Sequence, residues 1–261
     1  MPPARIVFYA ATAAALLLTF RAVFLAPPPL GWAIIAAAGY VALVLASVFV
    51  LRLRVFVDAV VRGPRGARGV ALTFDDGPDA TWTRRVLDLL DGANAKATFF
   101  VIGRKAEAEA ELTREIVARG HTLGVHSYAH DRLFSLRSER RVREDLERAI
   151  AVLEKITGAR PTLFRPPIGH TNPTIARVAD ALDLTVIGWT IGARDGMRGA
   201  QPDDVVARVR TRIDDGAIVL LHDAAEAGDY EPAGPRALPQ ILSVIAKAKL
   251  PIVPLARWLG E

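Results

Sequence analysis

Two histidines four residues apart, His126 and His130, have a type and spacing that suit metal binding. On a helical turn, residues i and i+4 lie on one face, so both imidazoles would point to the same place. Imidazole is a common ligand of zinc and similar cations. Alone, the pair is equally typical of surface or packing histidines, and a metal site needs a third ligand.

A pair of aspartates supplies a candidate for that ligand. Asp75 and Asp76 end an apolar run and are followed by a Gly77-Pro78 turn. An acidic turn is the structural alternative, because Asp, Gly and Pro are common turn residues. Adjacent side chains at a strand end point in different directions, so one carboxylate can bind a metal while the other acts as a base. A site of two histidines and one aspartate leaves coordination positions open for water and substrate, as hydrolysis requires.

From Val70 onward, short β-like runs alternate with helical stretches. This alternation predicts a parallel sheet built from βα units, and seven strand candidates favour a barrel or near-barrel. The strand candidates are residues 70–74, 97–101, 122–125, 162–164, 184–188, 217–221 and 251–253. The helix candidates are residues 83–90, 106–118, 139–156, 173–182, 203–213 and 238–248.

Polar residues with catalytic potential follow five of the strand candidates. They are Asp75 and Asp76, His126 and His130, Arg165, Asp195, and His222. In a parallel α/β barrel the loops after the strands share one face, where such enzymes carry their active sites. The sequence therefore predicts that five separate segments converge on one site.

These residues belong to five short segments in a fixed order. The segments are TFDDGP at 73–78, HSYAH at 126–130, RPPIG at 165–169, WTIGARDG at 189–196 and LLHD at 220–223. Over roughly residues 70–255 the chain resembles the polysaccharide deacetylases of the NodB-homology type, carbohydrate esterase family 4. The resemblance implies an α/β fold, a distorted (β/α) barrel of the polysaccharide deacetylase type.

The resemblance also implies a metal site and a base. Asp76, His126 and His130 correspond to the family's metal ligands, and Asp75 corresponds to its general base. Zinc is the first expectation for this ligand set, with cobalt, nickel or manganese as alternatives.

The remaining implied roles concern the substrate. Arg165 would orient the base, and the backbone N–H of Ile168 would help to stabilise the oxyanion. His222, tuned by Asp195, would protonate the leaving amine. Leu220, in the fifth segment, is expected beside the substrate.

The chain departs from the family pattern at two positions. Ile168 replaces the usual tyrosine, and Gly196 stands where a tryptophan usually forms one wall of the sugar groove. Trp189 is not expected to replace that wall. Arg194 and Arg198 flank Asp195 and suit either a phosphate or carboxylate of the substrate or solvated surface charge.

The composition excludes cysteine chemistry, since the chain has no cysteine, and gives a formal net charge of +5. Five arginines lie just after an apolar run, which favours a juxtamembrane cluster over nucleic-acid binding. They are Arg52, Arg54, Arg62, Arg65 and Arg68.

The first 54 residues are predicted to be a membrane anchor. Residues 32–51 form an uncharged run long enough to cross a hydrocarbon core of about 30 Å, and residues 6–26 form a second candidate span. One or two transmembrane helices are therefore expected, with a signal peptide or a buried helical hairpin of a soluble domain as alternatives. The predicted organisation is an anchor at 1–54, a basic linker at 55–69 and a catalytic domain at 70–261.

These patterns predict an integral protein of the cytoplasmic (inner) membrane. The arginines after residue 51 favour a cytoplasmic catalytic domain, whereas a cell-wall enzyme needs the opposite face, so the face is left open. The expected function is metal-dependent removal of N-acetyl groups from a chitin-like or peptidoglycan-like amino-sugar polysaccharide or oligosaccharide. The alternatives are a deacylase or deformylase of a lipid-linked amino sugar, and a membrane-tethered carbohydrate-binding protein without turnover.

Overall fold

A curled, seven-stranded parallel sheet forms the centre of the protein. The computed structural model describes residues 1–228 and 230–260. The strands are β1 (Val70–Asp75), β2 (Thr98–Val101), β3 (Thr122–Val125), β4 (Leu163–Phe164), β5 (Thr185–Val186), β6 (Ile191–Gly192) and β7 (Ala217–His222). Their spatial order is β5-β4-β3-β2-β1-β7-β6. This half-barrel confirms the predicted distorted (β/α) barrel.

Strand β1 lies in the middle of the sheet, between β2 and β7. All six of its residues are buried, as expected for a parallel strand with both faces covered. Its register with β7 sets Asp75 opposite His222. Residues 147 positions apart in the sequence are thus neighbours at the carboxyl edge of the sheet.

Six of the seven predicted strands are confirmed, and the prediction of the seventh was wrong. Residues 251–253 contribute only a single bridge, between Ile252 and Val70. The seventh strand is instead Ile191–Gly192, which pairs with β7. A strand of two residues carries no alternating pattern, so tertiary pairing alone defines it.

Ten α-helices are described. They are α1 (Pro3–Phe24), α2 (Leu30–Phe49), α3 (Trp82–Gly92), α4 (Gly103–Ala108), α5 (Ala110–Ala118), α6 (Glu139–Thr157), α7 (Pro173–Ala181), α8 (Pro202–Arg210), α9 (Ala233–Lys247) and α10 (Ala256–Leu259). The single helix predicted over 106–118 is two helices, because Glu109 has a non-helical backbone, with φ −111° and ψ 48°. Helix α9 begins five residues before its predicted start and contains Pro239.

Helices α1 and α2 form an N-terminal hairpin. Both are long and apolar enough to cross a membrane, and their most apolar windows are 0% and 6% buried. That exposure excludes a buried helical hairpin. The side chain of Arg5, near the start of α1, contacts Asp58 at 2.9 Å, and the Phe8 ring packs on Phe56. The start of α1 and the end of α2 therefore lie at the end of the hairpin that adjoins the sheet domain.

The end of α2 is fixed to the loop after β4. The N–H of Thr171 donates to the carbonyl of Val48, and the rings of Phe49 and His170 lie 4.6 Å apart. Part of the predicted linker also packs on the sheet, since Val60 bridges Ile187. The domain boundaries themselves stay a prediction.

Candidate active site

Asp75 and Asp76 both line one cavity at the carboxyl end of β1. Asp75 is the last residue of the strand, and Asp76 follows it in the left-handed region, with φ 73°. This conformation turns the chain, so both carboxylates reach the same space instead of the opposite sides that an extended strand would give. The cavity has a volume of about 190 Å³. Its lining residues are Asp75, Asp76, His126, His130, Ile168, Gly169, Trp189, Leu220, His222 and Glu226.

Three of these side chains have the arrangement of a metal site. Asp76 Oδ1 lies 3.5 Å from His126 Nε2 and 3.3 Å from His130 Nε2. Ligand atoms of the three residues fit within 4.8 Å of one another, and all three side chains are buried. Asp76 Oδ1 is buried without a hydrogen-bond partner among the described residues, which a cation would satisfy. The donor set therefore fits a divalent metal ion.

The electrostatic environment of Asp76 suits a role as a metal ligand. Burial alone would raise the pKa of its carboxyl group. The close approach and charge of His126, together with the charges of His222 and His130, instead hold this pKa well below its ordinary value. Asp76 is consequently deprotonated at neutral pH, as a metal ligand must be.

The segment that carries the two histidines is a loop and not the helical turn that their spacing predicts. Ser127 and His130 both have positive φ values, 62° and 51°. The loop is held because the Asp145 carboxylate accepts from the N–H groups of Tyr128 and Ala129, while Ser127 Oγ accepts from the N–H of His130. The imidazole rings still meet, with centroids 4.8 Å apart.

The other ring nitrogen of each candidate histidine ligand has an oxygen neighbour, hydrogen-bonded for His126 and at ion-pair distance only for His130. His126 Nδ1 donates to the carbonyl of Arg165 at 2.7 Å, which directs Nε2 toward Asp76. His130 Nδ1 faces Glu226 Oε1 at 3.3 Å. Such partners fix the tautomer and orientation of metal-binding imidazoles. Glu226 was not identified from the sequence, because nothing in its local pattern marks it.

Replacing Glu226 with alanine is expected to weaken metal binding by about 10-fold or more, since His130 loses the carboxylate that orients it. Metal affinity measured by competition with a chromogenic chelator tests this effect. Glu231→Ala, in the same connection to α9, is the control and should leave the affinity unchanged. Equal affinity in wild type and Glu226→Ala would show that Glu226 does not support the site.

Arg165 is fully buried and paired with Asp75. Its Nη1 lies 2.6 Å from Asp75 Oδ1 and also donates to Thr73 Oγ1. Its other nitrogens donate to the carbonyls of Ile187 and Gly188. These contacts compensate the guanidinium for lost hydration and fix the Asp75 carboxylate in one orientation.

His222 and Asp195 form a second paired group beside the aspartates, with His222 Nε2 4.0 Å from Asp76 Oδ2. Asp195 Oδ1 lies 3.0 Å from His222 Nδ1, and Oδ2 accepts from the N–H of His222. Burial alone would lower the pKa of His222, but the attraction and hydrogen bond of Asp195, with the charges of Asp76 and Asp75, raise it to about 10. His222 is therefore protonated at neutral pH and able to donate a proton.

Asp195→Asn should move the alkaline limb of the pH–rate profile toward lower pH. Activity that needs protonated His222 is lost as pH rises through its pKa, and a cation bound at Asp76 would place that limb below about 10. Removing the charge of Asp195 lowers the pKa toward the ordinary 6.5. The pH dependence of kcat/KM measures the shift, and an unmoved limb would show that another group supplies the proton.

Apolar and aromatic side chains complete the cavity. Ile168 is 46% exposed and has φ 57°, an unusual conformation for a β-branched residue. Leu220 and Trp189 also line the cavity. Trp189, which was not expected to replace the missing tryptophan, thus forms part of the cavity wall. The sequence position of Trp189 could not show this, because the loop between β5 and β6 determines where the indole lies.

Comparisons with known proteins identify the family to which this half-barrel and its candidate site belong. Residues 62–187 match the polysaccharide deacetylase family. Peptidoglycan-N-acetylglucosamine deacetylase of Bacillus cereus is 32% identical over 160 residues, a match that covers 61% of this chain but only 58% of that relative. Chitooligosaccharide deacetylase of Bradyrhizobium sp. is 35% identical over 164 residues, covering 63% of this chain and 74% of the relative.

A solved structure shows the same architecture. The family 4 acetyl xylan esterase from Clostridium thermocellum, in complex with a cobalt ion, superposes with a TM-score of 0.66 and 34% identity. The superposition covers 73% of this chain and 90% of that one. The chain belongs to the polysaccharide deacetylase family, carbohydrate esterase family 4.

Proposed function

We propose that this protein is a metal-dependent hydrolase that removes N-acetyl groups from an amino sugar. The observation that carries the proposal is the single cavity in which Asp76, His126 and His130 lie beside Asp75 and His222. The relatives' names support an acetylated amino sugar as the substrate class.

Asp76, His126 and His130 would hold the metal ion. Zinc suits two imidazoles and a carboxylate, and cobalt, nickel or manganese fit the same donors. When bound, a divalent cation polarises an acyl carbonyl and makes water more acidic.

The protein's own groups would carry the protons. Asp75, held by Arg165, takes a proton as water attacks the acyl carbon. The N–H of Ile168, at the rim of the cavity, donates to the oxyanion. The carbon–nitrogen bond then breaks as His222 donates its proton to the nitrogen, leaving acetate and a free amine. Leu220 and Trp189 would contact the sugar.

We propose that the protein is anchored in the cytoplasmic membrane by residues 1–54. The exposed apolar surfaces of α1 and α2 support this location. Arg5, Arg52 and Arg54 lie at the end of the hairpin that adjoins the sheet domain, which favours a cytoplasmic site by the positive-inside bias. A reporter fused to the C-terminus tests this orientation, and periplasmic activity of the fusion would contradict it.

Acetate release from N-acetylated chito-oligosaccharides by the full chain in detergent tests the proposed reaction. We expect release that is lost in Asp75→Ala. A protein that binds its metal, binds these sugars and releases no acetate from any N-acetylated amino sugar would instead be a carbohydrate-binding protein.

A further inference from the structure

A second cavity adjoins the candidate active site. Its volume is about 320 Å³, and it shares Trp189, Leu220 and His222 with the first cavity. Three arginines, Arg52, Arg194 and Arg212, line its other side with Thr190 and Gly192. A continuous surface therefore leads from the candidate general acid to a cluster of three positive charges.

The three arginines come from separate parts of the chain. Arg52 lies in the short 3₁₀ turn Leu51–Leu53 directly after α2, Arg194 lies in the loop after β6, and Arg212 lies just after α8. Within residues 1–228 and 230–260 none of them has a carboxylate within ion-pair distance, whereas the nearby Arg62 is paired with Asp214. All three arginines are exposed, and three unpaired positive charges around one cavity would attract an anion into it.

The two arginines that flank Asp195 have different surroundings. Arg198 lies over the ring of Tyr230, 5.4 Å from its centroid, and is not part of the cavity wall. Arg194 faces the second cavity. Of this pair, only Arg194 is therefore placed where it could bind an anion in the second cavity.

We propose that this arginine cavity binds a phosphate group carried by the substrate, next to the amino sugar whose acyl group occupies the first cavity. The inference rests on the proposed function and specifies its substrate class. Guanidinium groups match phosphate oxygens with paired N–H donors, and three of them suit a charge that neutral chitin-like glycans lack. Trp189, shared by both cavities, lies where a sugar ring would connect them.

The position of the cavity favours a phosphate attached to a lipid. Arg52 is the third residue after α2, and the end of α2 is bonded to the loop after β4 through Val48 and Thr171. A substrate phosphate at Arg52 would lie near the lipid headgroups, with its lipid chain free to enter the membrane beside the hairpin. A soluble sugar nucleotide would offer the same phosphate chemistry without the membrane.

Equilibrium binding tests the phosphate site without relying on turnover. The full chain in detergent is titrated with N-acetylglucosamine 1-phosphate and with N-acetylglucosamine. We expect the phosphorylated sugar to bind at least about 10-fold more tightly, because charge-assisted bonds to arginine are lost in the neutral sugar. Arg52→Gln/Arg212→Gln should remove most of this preference. Arg65→Gln/Arg210→Gln, which removes two exposed charges outside the cavity, should keep it within about twofold.

Equal affinities for the two sugars in the wild-type chain would overturn the proposal, and this comparison needs no variant to fold. An equal loss in both double variants would also overturn it, since it would show only a general effect of net charge. Thermal unfolding of each variant confirms that it is folded.

Acetate release distinguishes the sources of the phosphate. Faster release from a polyprenyl-phosphate-linked N-acetylglucosamine than from a nucleotide-linked one supports the lipid, and the reverse order supports a soluble substrate of the same site. Fastest release from a chito-oligosaccharide, unaffected by Arg52→Gln/Arg212→Gln, would overturn the phosphate inference and leave the proposed function intact. No release from any of them, with phosphate-selective binding retained, would overturn the proposed function alone.

Discussion

Replacing both His126 and His130 with alanine is expected to abolish metal binding and to lower kcat/KM for acetate release by about 1,000-fold or more. The two imidazoles supply two of the three candidate ligands, and Asp76 alone cannot hold a divalent ion tightly. Metal content after dialysis and acetate release together measure the effect.

His170→Ala is the matched control for this double replacement. His170 lies outside both cavities and packs on Phe49 of α2, so the variant should retain one equivalent of metal. A His126→Ala/His130→Ala protein that kept its metal and full activity would show that other residues form the metal site.

Asp75→Asn is expected to lower kcat by about 10² to 10⁴-fold while leaving metal binding intact. Asparagine cannot take the proton from water, yet it keeps the size of the side chain and an acceptor for the buried Arg165. Asparagine does not supply the negative charge that offsets the buried guanidinium, so part of the cost of breaking a buried ion pair, about 3–5 kcal/mol, is expected as lower stability. Measured kcat, metal content and thermal unfolding separate these effects.

The matched comparison for this variant is Asp79→Asn, which changes an acid of the same loop outside the cavity. It should keep nearly all activity. An Asp75→Asn enzyme with kcat within about tenfold of the wild type would assign the base to a different group.

Much of the fold could be predicted from local patterns. Long apolar runs such as β1 and β7 are buried on both faces, so the sequence marks them directly. The strand Ile191–Gly192 could not be predicted, because two residues carry no periodicity and pairing with β7 alone defines them. The half-barrel could be predicted because the longer strands and helices alone are enough to reveal their alternation along the chain.

The candidate site likewise combines features that local patterns predict with features that depend on tertiary contacts. The spacing of His126 and His130 correctly suggested proximity but for the wrong reason, since the loop geometry depends on Asp145, which lies in α6. Glu226 was missed, and the place of Trp189 in the cavity wall was not predicted, because loops far along the chain bring both residues to the cavity. Their contributions are tertiary and leave no local pattern.

The arginine cavity is the clearest case of information held only in three dimensions. Arg52 lies 142 residues from Arg194 and 160 residues from Arg212 in the sequence, and its neighbours suggested only a juxtamembrane charge cluster. Docking of α2 on the loop after β4 brings Arg52 beside the site. In the proposed phosphate site, an arginine whose neighbours indicate membrane topology would also bind substrate.

Asp76, His126 and His130 are proposed to hold a metal ion that is required for deacetylation. The most direct test of this role is a titration of the chelated full chain with zinc or cobalt, following acetate release at each addition. Activity should be absent in the metal-free protein and should rise in proportion to bound metal up to one equivalent. Acetate release that continues undiminished when bound metal is below detection would contradict this role.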